Sequence, residues 1–215
     1  MILQRIPKTK CRRVDDFVLG GGLGHGPWPR LARLVLRDTT GRQTAHTSPG
    51  FVQTCWTTTH LCAAFSCPGK APKCTYTHRD DPLYDEDVVE LFIAPDASEP
   101  RNYFELEFNA HGTIFDAVVV HPDLAGNGRP AVATEWTCDG LKVDARIHSG
   151  RWEVEIAIPF SGLGMPPPHI GDTWRFNAYR IDYGPPDNYL AWSPTLRPEP
   201  SFHVPGRFGI LEFGK

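Results

Sequence analysis

The segment FELEFN, residues 104–109, decides the fold class because its apolar and polar side chains alternate without interruption. The segment WEVEI, residues 152–156, shows the same alternation. Successive side chains of a strand point to opposite faces, so a period of two gives one apolar and one polar face, whereas a helix would spread these residues over all sides. Both segments are therefore predicted to be strands with one buried face.

The chain after residue 30 consists largely of short segments rich in Val, Ile, Phe, Trp and Thr, separated by Gly, Pro, Asn or Asp. Its 20 Gly and 21 Pro favour many turns and few helices. These segments predict an all-β fold, a two-sheet antiparallel β-sandwich of jelly-roll type, with a closed barrel as the alternative. The candidate strands are residues 31–37, 51–57, 61–66, 87–94, 103–109, 114–120, 134–138, 142–148, 152–159, 173–182, 190–192 and 207–213.

The length of 215 residues favours one domain with an appendage. The segment GGGLGHG, residues 20–26, is too rich in glycine for a helix or strand interior, and it lacks the Lys-Ser/Thr ending of a phosphate-binding loop. We therefore expect residues 1–27 to form an N-terminal Gly-rich arm outside the sandwich, and residues 28–215 to form the domain. The short basic cluster at residues 8–13 is interpreted as a solvated part of this arm.

Charge and hydropathy exclude two classes of partner. The chain has 22 Lys+Arg against 25 Asp+Glu, a formal charge of −3, so it offers no basic field for nucleic acid. No run of 18 apolar residues is present, so no membrane partner is expected. We expect a cytoplasmic protein if Met1 is native, and an extracellular or periplasmic one if a signal peptide has been removed. Nothing in the sequence identifies a protein partner.

The six cysteines are irregularly spaced and include no CxxC pair, which argues against structural zinc. Cys67 and Cys74 flank a Pro- and Gly-containing turn and could meet there. A chain of this size does not need a disulfide for stability, so free thiols are favoured over a bridge between these two residues.

Polar residues inside apolar strands are the first candidates for a binding site. Glu90 lies in the otherwise apolar segment VVELFI, residues 88–93, and burying a carboxylate is costly unless it has a partner. Asn177 alternates with apolar residues in residues 174–182, where Arg180 is one of two arginines. Arginine beside carboxylates would suit a hydroxyl-rich ligand. The alternative is a set of solvated residues on outer strand faces, and it is favoured for four glutamates: Glu105, Glu107, Glu153 and Glu155.

Aromatic residues at loop edges are the second class of candidates, because such rings can stack on the apolar face of a sugar. Tyr84 precedes an acidic loop, Trp192 lies in the segment AWSPT, and Phe202 lies in PSFHVP. Most other aromatic residues are expected to belong to the core. Tyr84 and Phe202, which lie in loops, are the aromatic residues favoured for contact with a ligand.

A loop with several aspartates is a candidate calcium site, because a hard cation needs several oxygen ligands. The order of ligands in an EF-hand is missing, and a solvated acidic loop is the favoured interpretation. The candidate ligands are Asp80, Asp81, Asp85 and Asp87. No cofactor other than this possible Ca²⁺ is expected. GxSxG and HExxH motifs are absent.

An ordered set of segments resembles carbohydrate-binding module family 9 and its free-standing relatives. The resemblance extends over roughly residues 28–213. Its segments are DVVELFIAPD (87–96), YFELEFN (103–109), WEVEIAIPF (152–160), GDTWRFN (171–177), AWSPT (191–195) and FG (208–209).

The resemblance implies a β-sandwich that binds carbohydrate without cleaving it, often with bound calcium. It also implies that two aromatic residues clamp a terminal sugar, which would place the clamp at Tyr84 and Phe202 here. These two residues are predicted to be the walls of a sugar-sized slot, with Glu90 on its floor and with Trp192, Asn177 and Arg180 nearby. Glu90 matches an acidic position, and Glu105 stands where sugar-binding members carry an arginine. Arg175 or Arg180 is a candidate replacement for that guanidinium.

Two other functions stay open at this point. A sugar-active hydrolase would use Glu90 with Glu105 or Glu107 as acid and base, at the separation of about 5–9 Å that glycosidases use. A haem-binding redox sandwich would need ligands such as Met165 and His169, which lie in a rigid proline-rich loop.

Overall fold

The computed structural model describes residues 5–42, 50–69, 71–184 and 187–215. Within these ranges the fold is all-β, as predicted, and its helices are single 3-10 turns at Trp28–Arg30, Leu83–Asp85, Phe160–Leu163 and Pro205–Arg207. The strands are β1 (Lys8–Arg13), β2 (Leu34–Val35), β3 (Arg37–Asp38), β4 (Phe51–Trp56), β5 (His60–Pro68), β6 (Val88–Ala94), β7 (Asn102–Asn109), β8 (Ile114–Val120), β9 (Ala131–Ala133), β10 (Lys142–His148), β11 (Arg151–Pro159), β12 (Thr173–Asp182), β13 (Asn188–Ala191) and β14 (Gly209–Gly214). None of the helices in the described part of the chain has the length and apolar character needed to cross a membrane.

The strands form two halves of a sandwich that are joined through one continuous hydrogen-bonded path. The order is β10-β11-β5-β4-β1-β14-β12-β6-β7-β8-β9, with β13 paired to β12 and β3, and β2 paired to β4. All pairs are antiparallel except those of β1, which runs parallel to both β14 and β4. The strands at the two ends of this path, β10 and β9, do not pair with each other in the described structure, so the path does not close into a barrel.

The main core lies between the two halves. Phe65 on β5 and Ile156 on β11 belong to the same buried cluster as Leu91 on β6 and Leu106 on β7. Because side chains alternate along β6, the remaining residues of that strand, including Glu90, point to the other face of their half. A second apolar cluster covers this outer face. The outer face of the β12-β6-β7-β8 half is therefore buried as well, and it holds the candidate site.

The N-terminal segment differs from the prediction. Lys8–Arg13 is not a solvated arm but strand β1, which links the two halves between β14 and β4. The glycine-rich segment after it packs on the outside of β11, where the Glu155 carboxylate accepts hydrogen bonds from the backbone N–H of Gly20 (3.0 Å) and Gly22 (2.8 Å) and from Trp28 Nε1 (2.7 Å). The domain boundary after residue 27 stays a prediction.

Most of the predicted strands are present, with shifted ends. The predicted strand at 134–138 is wrong, since β9 lies just before it at Ala131–Ala133 and residues 134–138 form a turn and an irregular segment. The expectation of solvated outer-face glutamates is also wrong. Glu105, Glu107, Glu153 and Glu155 are all buried, because loops and the N-terminal segment cover both outer faces.

Candidate functional site

A pocket of about 560 Å³ lies on the outer face of β6, β7 and β8. Its size falls in the range of small-molecule sites. It brings together four residues predicted from the sequence, Tyr84, Glu90, Glu105 and Phe202. The other lining residues are Glu107, Phe115, Val132, Thr134, Ile181, Tyr189, Pro200, Ser201 and His203.

The floor of the pocket carries three glutamates from two neighbouring strands. Glu90 on β6 is paired in register with Glu107 on β7, and Glu105 lies two residues before Glu107 on the same face. One carboxylate oxygen from each of the three residues lies within 4.8 Å of the others. Glu90, Glu105 and Glu107 are 2 %, 6 % and 1 % exposed, so the cluster is shielded from water.

Burial and mutual repulsion favour the protonated form of these carboxyl groups. Desolvation raises the pKa of Glu105 to about 8. Desolvation, followed by the charges of neighbouring glutamates, raises the pKa of Glu90 and of Glu107 well above their ordinary value. Two full charges 4.8 Å apart would repel by about 3 kcal/mol at an effective dielectric constant of about 20. At pH 7 the cluster therefore holds protons that exposed glutamates would have lost.

Aromatic rings line the sides of the pocket. Tyr84, from the 3-10 helix Leu83–Asp85, is 47 % exposed and makes an edge contact with Phe115 at 6.1 Å between ring centroids. Phe202 is only 8 % exposed, because one ring face stacks on Tyr179 at 4.2 Å. The Tyr179 hydroxyl also donates to the Phe202 carbonyl oxygen at 2.9 Å. Tyr84 thus has exposed ring surface for a ligand, whereas Phe202 is held in place by packing and has little exposed ring surface.

The histidine of the pocket does not balance the charge of the glutamates. Nδ1 of His203 lies 2.6 Å from the Tyr103 hydroxyl oxygen, and Nε2 lies 3.8 Å from Glu105 Oε1. Desolvation, with a smaller contribution from His121, lowers the pKa of His203 to about 4, so its ring is neutral at pH 7. No Lys or Arg is present among the described residues that line the pocket. The site is therefore acidic and lacks an internal cation.

The family comparison decides the identity of the domain. A model of carbohydrate-binding family 9 matches residues 52–213, which includes every strand that forms the pocket. This chain belongs to carbohydrate-binding family 9. An extracellular protein from Arthroderma benhamiae is 26 % identical over 144 residues. That match spans 62 % of this family 9 chain and 64 % of the fungal protein, so the aligned region is less than two thirds of the length of that relative.

Solved structures show the same fold at low sequence identity. A candidate carbohydrate-binding protein from Bacteroides uniformis superposes with a TM-score of 0.73 at 18 % identity, over 97 % of this chain and 100 % of the other. A family 9 module from Caldicellulosiruptor kristjanssonii in complex with cellotriose gives 0.65 at 12 % identity, over 96 % and 93 %. The same type of module in complex with glucose gives 0.65 at 13 %, over 97 % and 96 %. These similarities confirm the β-sandwich.

Two predicted ligand residues, Asn177 and Trp192, lie outside the pocket of this family 9 domain. Asn177 is fully buried and binds the backbone of Ser193 through both side-chain atoms, at 2.9 Å each. Trp192 belongs to the core between the halves and packs against Phe176 at 5.8 Å. Both residues support the fold and do not line the pocket.

Neither candidate arginine reaches the pocket. Arg180 is 2 % exposed and forms an ion pair with Asp182 at 3.3 Å between Nη2 and Oδ1. Its partner in register on β6 is Val89, whose side chain belongs to the core between the two halves. Because side chains alternate along β12, Arg180 points to that same face and away from the pocket. Arg175 donates instead to the carbonyl oxygens of Phe208 and Gly206. The guanidinium that the family resemblance implies therefore has no replacement among the described lining residues.

The four aspartates proposed as calcium ligands do not form a cation site in the described structure. Asp81 accepts backbone N–H groups from residues 77 and 78, and Asp87 accepts those of Lys73 and Tyr183. Asp80 and Asp85 are exposed. Among the described residues, the carboxylates that do lie together are Glu90, Glu105 and Glu107. The four aspartates are not brought together in the described structure in the way the three glutamates are, and calcium binding stays a prediction.

Sequence reasoning missed several pocket residues. The sequence predicts a solvated Glu107, although this residue shares the polar face of Glu105. Only the register of β6 against β7 places it opposite Glu90. Tyr189 directly precedes the predicted strand at residues 190–192, and His203 directly follows Phe202. Its position next to a candidate ligand residue is a signal from which His203 could be predicted as part of the pocket. The two candidate haem ligands lie in different surroundings, because Met165 packs against the core whereas the His169 side chain is 92 % exposed. Met1 lies outside the described residues.

Proposed function

We propose that this chain binds carbohydrate without cleaving it, and that the ligand occupies the pocket between Tyr84 and the glutamate floor. The observation that carries the proposal is the pocket itself, in which an exposed tyrosine ring lies beside three buried carboxyl groups in a family 9 domain. An aromatic ring contributes apolar contact to a sugar ring, and carboxyl groups bind adjacent hydroxyls. Two structurally similar modules are complexes with cellotriose and glucose, which supports a small sugar or a chain end as ligand.

The position of the glutamates argues against the hydrolase alternative. In a glycosidase the two carboxyl groups flank the scissile bond, about 5–9.5 Å apart. Here Glu90, Glu105 and Glu107 lie side by side on one sheet face, with oxygens within 4.8 Å of one another. A sugar would lie on top of this floor and could not be inserted between the carboxyl groups. The arrangement can bind hydroxyls but does not place an acid and a base on opposite sides of a bond.

Titration calorimetry against a panel of monosaccharides and oligosaccharides tests the proposal. We expect a dissociation constant on the order of micromolar to millimolar, since a small sugar buries few heavy atoms. Tyr84→Ala should weaken binding about tenfold through loss of ring contact, and Glu90→Gln should weaken it further. Asp144→Asn, on β10 in the other half of the sandwich, is the matched control and should bind like the parent. Equal binding by all three variants would place the site elsewhere, and turnover of a sugar by the parent would favour the hydrolase.

A further inference from the structure

The glutamate floor has more carboxyl groups than hydrogen bonding to neutral sugar hydroxyls requires. Three carboxyl groups converge within 4.8 Å, and the described lining residues include no Lys or Arg to balance them. His203 contacts Glu105 but is neutral at pH 7, because burial lowers its pKa to about 4. A neutral sugar would leave these carboxyl groups protonated, since its hydroxyls bring no positive charge to stabilise the ionised form.

An unpartnered atom points to the kind of group that completes the site. Glu107 Oε2 is fully buried and has no hydrogen-bond partner, although Glu107 lines the pocket. Buried polar atoms in native proteins nearly always have a partner, so this oxygen has hydrogen-bonding capacity left for a ligand, and it is an acceptor once Glu107 is ionised. An ammonium group has three N–H donors and no acceptor, and it would meet three carboxyl groups.

We propose, resting on the carbohydrate-binding function above, that the preferred ligand is a cationic sugar, a hexosamine whose free ammonium group lies against Glu90, Glu105 and Glu107. A ligand of ring size suits the pocket volume of about 560 Å³, which a bare metal ion would leave almost empty. The exposed ring of Tyr84 adds attraction for both the sugar face and the cation. Charge-assisted hydrogen bonds between ammonium and carboxylate are stronger than those of neutral hydroxyls.

The proposal predicts that binding releases protons. Burial raises the pKa of Glu105 to about 8, so an arriving ammonium group must drive ionisation of the cluster. Burial raises the pKa values of Tyr84, Tyr103 and Tyr179, so their hydroxyls stay neutral between pH 5 and 8. Because Asp85 is exposed, the released proton comes from the glutamates. The facing groups are Tyr84 and Asp85 from the 3-10 helix, Tyr103 from β7, Tyr179 from β12, Tyr189 from β13 and His203 from the following loop.

The experiment is calorimetry at pH 6 with glucosamine, glucose and N-acetylglucosamine, in two buffers of different ionisation enthalpy. We expect glucosamine to bind at least tenfold more tightly than the two uncharged sugars, and to release protons that they do not release. Glu107→Gln should reduce the glucosamine-to-glucose affinity ratio at least fivefold, and Asp144→Asn should preserve it. Glu105→Gln provides a second test of the same ratio if Glu107→Gln fails to fold.

Each other outcome overturns the inference in a distinguishable way. If glucose binds as tightly as glucosamine and no proton is released, the cationic preference is wrong while the proposed function stands. If glucose binds only with added calcium and loses affinity with chelator, a metal ion and not an ammonium group fills the cluster. If no sugar binds, the proposed function fails and the inference fails with it.

Discussion

Replacing Glu105 with Gln should stabilise the protein at pH 7 and remove part of the pH dependence of its stability. Glu105 is 6 % exposed, and desolvation raises its pKa from 4.5 to about 8. The folded state therefore holds a proton that the unfolded state loses above pH 4.5. Stability from this group is fully present below pH 4.5 and falls as pH rises towards 8, because the unfolded state binds fewer protons in that window.

The magnitude follows from the width of this window. One proton of difference lowers the free energy of unfolding by about 1.4 kcal/mol per pH unit. From pH 4.5 to pH 7 the loss reaches about 3 kcal/mol, which Glu105→Gln should restore. For a domain of this size, that gain corresponds to a rise in Tm of about 6–12 °C. At pH 4.5 the variant and the parent should be about equally stable.

Urea unfolding at several pH values between 4.5 and 8 measures the effect directly. Glu135→Gln, in an exposed turn, is the control and should change the free energy of unfolding by no more than about 0.5 kcal/mol. A variant that is less stable than the parent at pH 7, or a difference that does not change with pH, would refute the conclusion that Glu105 is protonated in the folded protein.

Three further predictions concern regions away from the glutamate floor. Glu155→Ala should destabilise the protein by about 2–3 kcal/mol and make the segment before Trp28 sensitive to protease, because it removes the acceptor for Gly20, Gly22 and Trp28; an unchanged digestion pattern would argue against this anchoring. Thiol titration of the native protein should modify Cys74 first, since it is partly exposed while the other five free cysteines are buried; rapid modification of all six would contradict that burial. Thermal melts with and without chelator test the calcium prediction, because a bound ion adds stability by mass action and an unchanged Tm would exclude a stabilising ion.

The sequence predicted those features that depend on local pattern. Alternation in residues 104–109 placed Glu105 and Glu107 on one face of a strand, and β7 confirms it. Strand β1 was missed because KTKCRR has no apolar alternation, with Cys11 as its one buried side chain. That segment is held by backbone hydrogen bonds to strands on both sides, which no side-chain pattern reveals.

The parts of the site that were not predictable depend on contacts between distant segments. Glu107 was expected to be solvated, but it is covered because the 3-10 helix with Tyr84 and the loop with Phe202 close over the outer face. The register of β6 against β7, which sets Glu90 opposite Glu107, is a tertiary property. The sequence predicts Arg180 as a replacement for the guanidinium that the family resemblance implies, whereas alternation along β12 turns its side chain towards the core.

The most direct test of the central claim is a crystal structure of this chain with the sugar that binds most tightly in the calorimetric panel. The account predicts ligand density in the pocket, with a ring face against Tyr84 and a polar group within hydrogen-bonding distance of Glu107. Density for a well-bound sugar at any other place on the domain, with this pocket empty, would contradict it.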